Sequence, residues 1–342
     1  MFEWKTRVTN LVGCRFPIIQ GAYGGFGTAA IAGPVSKAGA LGIITAGACR
    51  TPEALRAEIE KVRAMTDNPF GVNISVGLVR DPVGMLDVVI DCKVPVLFTA
   101  AYKAEDLGQR AKAAGIPWIH KVATVKHALA GERQGADAVV IVGIEGSGFK
   151  SVTQLPTLIN ITTAAKLLKV PVIAAGGIGD AQGFLAALSM GAEAAYMGTA
   201  FMATTECEIS DRYKQVLVDS QPWDQRVRDR ALAPPKQEEY DRIMKQRDSI
   251  PKDEWLRKLE MVVNKQPADA EPASLPREWE DDLQDAPEDS EQAFRNSGGS
   301  LAVGVIDEIK SVQALIEGII SGAERILEGS TPRRFQTMAR AS

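Results

Sequence analysis

The sequence predicts an α/β fold: a (β/α)8 TIM barrel with a helical insertion after strand eight. Three observations predict it. Short apolar runs alternate with amphipathic segments up to about residue 204. The runs are rich in Val, Ile and Ala and lack polar alternation, as strands buried on both faces do. Eight of them occur, the number that closes a parallel barrel. A doubly wound open sheet shows the same alternation and is the competing arrangement.

The strand candidates, in order, are PIIQGA (17–22), LGIITAG (41–47), FGVNISV (70–76), VPVLFTAA (94–101), WIHKVAT (118–124), AVVIVGI (138–144), VPVIAAGG (170–177) and AAYMGTAFMA (194–203). Between them, TPEALRAEIEKVRAMTD (51–67) and AEDLGQRAKAAG (104–115) carry helical periodicity with a polar face. Composition changes after Ser210. Residues 211–296 are rich in charge, hold three of the five tryptophans and contain no strand-like run. QEEYDRIMKQRDSIPKDEWLRKLEMVVNK (237–265) reads as one or two amphipathic helices, and the acidic, proline-bearing stretch 268–292 as a partly extended crossing. Globular character resumes at 297–327, a glycine-rich loop leading to a closing helix. The expected division is therefore 1–210 with 297–342 as the barrel and 211–296 as a helical cap.

Composition narrows the function. Apolar residues make up 45% and charged residues 24% of the chain, the balance of a soluble globular protein. A formal net charge of −4 provides no basic field, so nucleic acid is not the expected partner. Cys14, Cys49, Cys92 and Cys207 are widely spaced and only His120 and His127 are present, so no metal site is expected. The first residues lack the basic-then-apolar build of a secretion signal, and no apolar run has the length of a membrane span. The expected setting is the cytoplasm, with a small-molecule ligand. The three tryptophans of the insertion could supply a homodimer contact.

The most informative stretch is PVIAAGGIGDAQGFLAALSMGAEAAYMGTAFM (171–202). One buried strand ends in Gly176-Gly177-Ile178-Gly179 and the next in Gly198-Thr199. In a parallel barrel the ends of strands seven and eight lie side by side. Glycines there let backbone amides approach an anion, helix N-termini add a favourable dipole, and Thr199 adds a hydroxyl. The pattern is that of a phosphate cradle. A pair of tight strand-to-helix turns is the plain structural alternative.

These residues carry a family resemblance. IHKVATVKHALAGERQGADAVVI (119–141), GGIGDAQGFLAALSMGAEAAYMGTAFMAT (176–204), PIIQGAYGG (17–25) and FGVNISV (70–76) resemble nitronate monooxygenases and the related flavin-dependent enoyl-ACP reductases. The resemblance spans roughly residues 10–215 and 297–327 and leaves the insertion outside. It implies a non-covalent FMN with its phosphate at Gly176, Gly177, Gly198 and Thr199. It also implies flavin contacts from the Gly21-Ala22-Tyr23 turn, from Asn73 or Ser75, from Lys121 and from Ser147. Small side chains at Gly21 and Ala22 would let a flat ring lie against the backbone. Asn73 and Ser75 are two apart and share one strand face; an inward polar group needs a partner, either a flavin edge or a strand-end hydrogen bond. Lys121 lies inside an apolar strand, where an unpaired cation is costly unless it serves a negative charge or sits at a surface strand end. His120 points to the opposite face by alternation and reads as structural.

The family pattern breaks in two places. After strand six the resemblance implies a glycine-rich loop ending in a catalytic histidine. Here the loop is Gly143-Ile144-Glu145-Gly146-Ser147-Gly148-Phe149-Lys150, and phenylalanine cannot accept a proton. Ser300-Leu301-Ala302-Val303-Gly304 stands where the family carries G-Q-x-x-G. Lys150, Glu145, Tyr23 and Tyr102 are the replacement bases on offer. The arrangement is similar to a branch of the family acting on CoA thioesters, including those of steroid-ring breakdown. The expected function is FMN-dependent hydride transfer to or from an activated carbon–carbon bond of a CoA-linked acid. A nitronate monooxygenase, an NAD(P)H:quinone reductase and a non-catalytic flavin or phosphate-ligand binder are the alternatives.

Overall fold

In the computed structural model of the chain, the described residues are 2–22, 26–77, 79–148, 151, 153–232, 237–247, 249–251, 254–255, 258–259, 262 and 299–329. Eight strands, β1 (Ile18–Gln20), β2 (Gly42–Thr45), β3 (Phe70–Ser75), β4 (Val96–Ala100), β5 (Trp118–Val122), β6 (Ala138–Val142), β7 (Val172–Ala175) and β8 (Ala194–Met197), form one all-parallel sheet. Its order is β1-β8-β7-β6-β5-β4-β3-β2. A bridge between Ile19 and Leu41 joins the two outer strands. The open-sheet alternative is thereby removed: β1 pairs with β8 instead of lying inside a doubly wound order. The fold is a (β/α)8 TIM barrel.

The helices follow the strands as the periodicity requires. α1 (Arg7–Val12) precedes β1; α2 (Ala29–Lys37) follows it; α3 (Ala46–Cys49) and α4 (Pro52–Met65) follow β2; α5 (Pro82–Asp91), α6 (Glu105–Ala113), α7 (Val125–Arg133), α8 (Thr157–Leu167) and α9 (Ala181–Ser189) each follow one strand. α4 shows the local logic. Thr51 accepts from Ala54 N, Pro52 fills the first turn where its missing N–H costs nothing, and Leu55, Ile59 and Val62 face the barrel. After β8 come α10 (Thr199–Met202), α11 (Asp211–Asp219), α12 (Gln225–Ala231) and α13 (Gln237–Lys245). A 3-10 turn at Leu301–Val305 leads to the closing helix α14 (Val312–Gly329), which packs on α9 and α2.

Alternation sorts the strand side chains into two cores. Ile19, Ile43, Phe98, Ile119, Val140, Ile173 and Tyr196 fill the barrel interior. Ile18, Ile44, Trp118, Val139 and Ala195 face the helices. α1 closes the N-terminal end of the barrel, with Val8 and Val12 packed into the interior core. Its ends are set by a Thr6–Thr9 capping box and by Gly13 at φ 78°. With that end filled, the opposite mouth is the place for a ligand.

One expectation is corrected. The eighth strand, expected over 194–203, stops at Met197, and Thr199–Met202 is helical. The apolar run continues because α10 is buried on every side, and a short apolar run cannot distinguish helix from strand. The run at 237–265, expected as one or two helices, opens with α13, which ends at Lys245.

Candidate active site

All strands run one way, so their C-terminal ends share a face. There β6, β7 and β8 turn through glycines packed against one another. Gly176 has φ 107° and Gly177 φ 74°, conformations that side chains disfavour. A Cβ on Gly176 would lie 3.1 Å from the backbone nitrogens of both Gly143 and Gly146. A Cβ on Gly21 would lie 3.0 Å from Gly198 Cα, and Gly21 N donates to Met197 O at 2.6 Å. Thr199 Oγ1 and Ser300 Oγ are 2.8 Å apart, and Ser300 N donates to Thr199 Oγ1 at 3.1 Å. The closing segment thus returns to the end of β8 across 101 residues of sequence. Ser300 was not among the expected site residues; its only signal is a serine placed after paired glycines and before a helical turn. Asp180 accepts from Gly183 N at 2.7 Å, which caps one first-turn donor of α9. The cradle's donors are backbone and hydroxyl groups.

Across the mouth lies a polar ledge. Asn73 and Ser75 face inward from β3, and Asn73 Nδ2 donates to Ser75 Oγ at 3.0 Å. Asn73 Oδ1 is buried and meets no hydrogen-bond partner among the described residues. Ser75 and Lys121 both pair in register with Ala100, which places them at one level of the barrel. Lys121 Nζ lies 5.2 Å from the centroid of the Tyr196 ring. Protein surrounds the ammonium, although the residue keeps a partial opening to the mouth, and burial pulls its pKa down to about 8. Burial pushes the Tyr196 phenol up, and its oxygen accepts from Ala22 N at 2.6 Å. That bond ties the Gly21-Ala22 turn to β8.

His120 lies on the outer face of β5, as alternation requires. Trp118 Nε1 donates to Thr99 Oγ1 at 2.7 Å, and that hydroxyl meets His120 Nδ1 at 2.8 Å. Burial pulls the imidazole's pKa down to about 4.

The other named residues divide. The Glu145 carboxylate accepts from Thr157 N at 2.9 Å and Thr157 Oγ1 at 2.7 Å, which binds it to the start of α8. Its carbonyl accepts from Leu301 N at 3.0 Å. Ser147 is half-buried in the β6–α8 loop. Tyr102, just past β4, packs with Ile243, Leu259 and Val262 of the insertion. Tyr23, Phe149 and Lys150 lie outside the described residues. Among the described residues no group of three or more His, Cys, Asp or Glu could hold a metal ion.

These residues fit FMN. A cradle of glycine backbone with two hydroxyls suits a phosphate. The orphaned Asn73 Oδ1 and a lysine with no acidic partner among the described residues suit a ring with polar edges and negative charge on reduction.

The sequence model of the family described as nitronate monooxygenase matches residues 5–80 and 78–322. A probable nitronate monooxygenase of Staphylococcus aureus is 33% identical over 263 residues, covering 64% of this chain and 74% of the relative. A Rhodococcus jostii protein named (3aS,4S,5R,7aS)-5-hydroxy-7a-methyl-1-oxo-octahydro-1H-indene-4-carboxyl-CoA dehydrogenase is 35% identical over 214 residues, covering 63% of this chain and 60% of the relative. The solved structure of FabK from Thermotoga maritima superposes with a TM-score of 0.72 at 31% identity, over 95% of this chain and 97% of that one. With a family match running nearly end to end over the barrel just described, the chain belongs to the nitronate monooxygenase family of oxidoreductases.

Proposed function

We propose that this chain is an FMN-dependent oxidoreductase that moves a hydride to or from an activated carbon–carbon bond of a CoA-linked acid. The observation that carries the flavin part is one mouth with a glycine-and-hydroxyl cradle on one side and an unmatched polar ledge on the other. Gly176, Gly177, Gly198, Thr199 and Ser300 would hold the phosphate. Asn73, Ser75, Lys121, Ser147 and the Gly21-Ala22-Tyr23 turn would hold the ring. FMN, when bound, supplies the hydride-accepting and hydride-donating chemistry.

The chain's own groups set the rest. Lys121, with a pKa near 8, is mostly protonated at neutral pH and keeps a positive charge inside the mouth. Glu145 is a positioning residue, tying the β6–α8 loop to α8 and to Leu301. Lys150 and Tyr23 are the proposed proton carriers, on their place in the sequence beside Ala22 and Phe149. The substrate class rests on two features: the CoA-ester dehydrogenase name carried by the Rhodococcus relative, and Phe149 standing where the family pattern has its histidine. The insertion would cap the mouth, since Tyr102 at the end of β4 already packs on it. A cytoplasmic site of action accompanies that chemistry.

Two measurements test the proposal. Heat-released cofactor should be FMN, not FAD. Anaerobic titration with a panel of acyl-CoA compounds should change the flavin spectrum, whereas propionate 3-nitronate and ethylnitronate should turn over below the ordinary enzymatic range of roughly 1–10³ s⁻¹. Nitronate turnover within that range, with no response to any acyl-CoA, would overturn the substrate reading.

A further inference from the structure

Thr45 ends β2 at the same mouth and pairs in register with Asn73. Alternation from Leu41 and Ile43, both in the interior core, turns its side chain inward. It is 5% exposed, and its hydroxyl meets no hydrogen-bond partner among the described residues. The usual employment for a threonine in this position is missing: Thr45 is the N-cap of α3 but makes no side-chain cap bond. Its backbone needs are met elsewhere, since Thr45 N donates to Gly27 O at 2.7 Å. The loop after β1 crosses the hydroxyl at Gly27, where any Cβ would collide with Thr45 Oγ1.

Two orphaned polar atoms therefore sit on neighbouring strands at one register level, on the strand face that carries Ile43 and Phe98 in the interior core. Each costs free energy if nothing meets it, and such atoms are uncommon singly. Their chemistry is complementary. Asn73 Oδ1 is an amide oxygen and can only accept, while Nδ2 gives an N–H to Ser75. Thr45 keeps a hydroxyl able to donate. A group offering an N–H beside a C=O satisfies both at once.

We propose that Thr45 is a further binding residue of the flavin site, and that Thr45 and Asn73 together take the N–H/C=O edge of the flavin's pyrimidine ring. The inference rests on the FMN reading above and adds the residue and the edge. It sets the ring's orientation, with the pyrimidine end toward β2 and β3.

The test is FMN titration of the full-length apoprotein by flavin fluorescence, alongside thermal unfolding of the apoprotein. Thr45→Val removes the hydroxyl at nearly constant volume. It should weaken FMN about tenfold while leaving the melting temperature of the apoprotein unchanged or higher, because the hydroxyl has no partner there. Thr45→Ser should restore affinity to within about twofold. With N3-methyl FMN, whose N–H is blocked, the difference between wild type and Thr45→Val should disappear. Equal FMN affinity of wild type and Thr45→Val would overturn the inference alone, as would a persisting difference with the N3-methyl compound, which would move the contact to the ribityl chain. A wild-type chain that takes up no flavin would overturn both this inference and the functional reading.

Discussion

At the ends of β7 and β8 the mouth is walled by backbone, whereas at the ends of β2, β3 and β5 it is walled by side chains. The backbone wall needs residues that are absent: a Cβ at Gly176 or Gly21 would press on main-chain atoms of a neighbouring loop. The side-chain wall needs residues that are present, and it keeps them at a cost. Asn73 Oδ1 and Thr45 Oγ1 are unmatched, and the Lys121 ammonium is desolvated. A backbone cradle is settled once the chain has folded. A polar ledge of this kind stores instability that a ligand can relieve. The two walls should therefore respond to mutation with different signs.

The largest effect belongs to the backbone wall. Gly177→Asp places a side chain at φ 74° with its Cβ 3.2 Å from Glu145 Cβ, and adds a carboxylate where a phosphate is expected. Strain and repulsion act together, so FMN affinity should fall about 100-fold or more. Gel filtration after FMN loading checks this: the variant should elute without visible flavin absorbance while its circular dichroism stays native. A variant that elutes yellow would remove the cradle from this position.

The same contrast explains what was legible in the sequence. Gly176, Gly177, Gly198 and Thr199 stand out because glycine at a strand end has few other uses, so the backbone wall could be read directly. Lys121 stood out as a charge in an apolar run. Ser300 was hidden, since its place at Thr199 depends on a closure across 101 residues. Thr45 was hidden because a threonine before a helix looks like an ordinary cap. The end of β8 was misplaced because α10 is as apolar and as buried as the strand before it. Glu145 could be read as a candidate base, but its hold on Thr157 depends on where α8 begins.

β5 repeats the comparison on a smaller scale, with His120 behind the strand and Lys121 in front. His120 is engaged at Nδ1: Thr99 receives the Trp118 N–H and meets Nδ1, an arrangement that suits the neutral ring. Its folded-state pKa of about 4 lies below its ordinary 6.5, so the unfolded chain takes up the proton first. The stability it contributes is complete above pH 6.5 and is lost as pH falls through 4, with a limit of about 3 kcal/mol. Denaturant unfolding from pH 7 to pH 4 should show wild type losing about 2–3 kcal/mol more than His120→Gln over that window. Parallel curves for the two proteins would mean the imidazole is not the group that titrates.

Lys121 should behave in the opposite way. Removing the ammonium relieves a desolvated charge, so Lys121→Met should raise the melting temperature of the apoprotein by a few °C, roughly 1 kcal/mol or more. The same change should weaken FMN about tenfold. Because the lysine loses its charge through pH 8, wild-type FMN affinity should fall as pH rises from 7 to 9, and the variant should lack that fall. A destabilised variant with unchanged FMN affinity would make the lysine a packing residue and leave the ledge with Asn73, Ser75 and Thr45.

The smallest effect on the flavin, and the most selective, is expected where the insertion meets the mouth. Tyr102 follows the end of β4 through Ala101, a non-glycine residue at φ 80°, and its ring packs with Ile243, Leu259 and Val262. This cluster is separate from both barrel cores, so trimming it should loosen the insertion without loosening the barrel. None of its residues belongs to the cradle or the ledge. Ile243→Ala should therefore leave FMN affinity within about twofold, while raising the KM for a reactive acyl-CoA about three- to fivefold. Steady-state turnover of that acyl-CoA measures the KM, and fluorescence titration of the apoprotein with FMN measures the affinity. A cap that recognises the long substrate predicts the change in KM with the flavin spectrum unaltered. A change in FMN affinity of the same size would mean that the insertion supports the flavin wall itself, and an unchanged KM would take it out of substrate recognition.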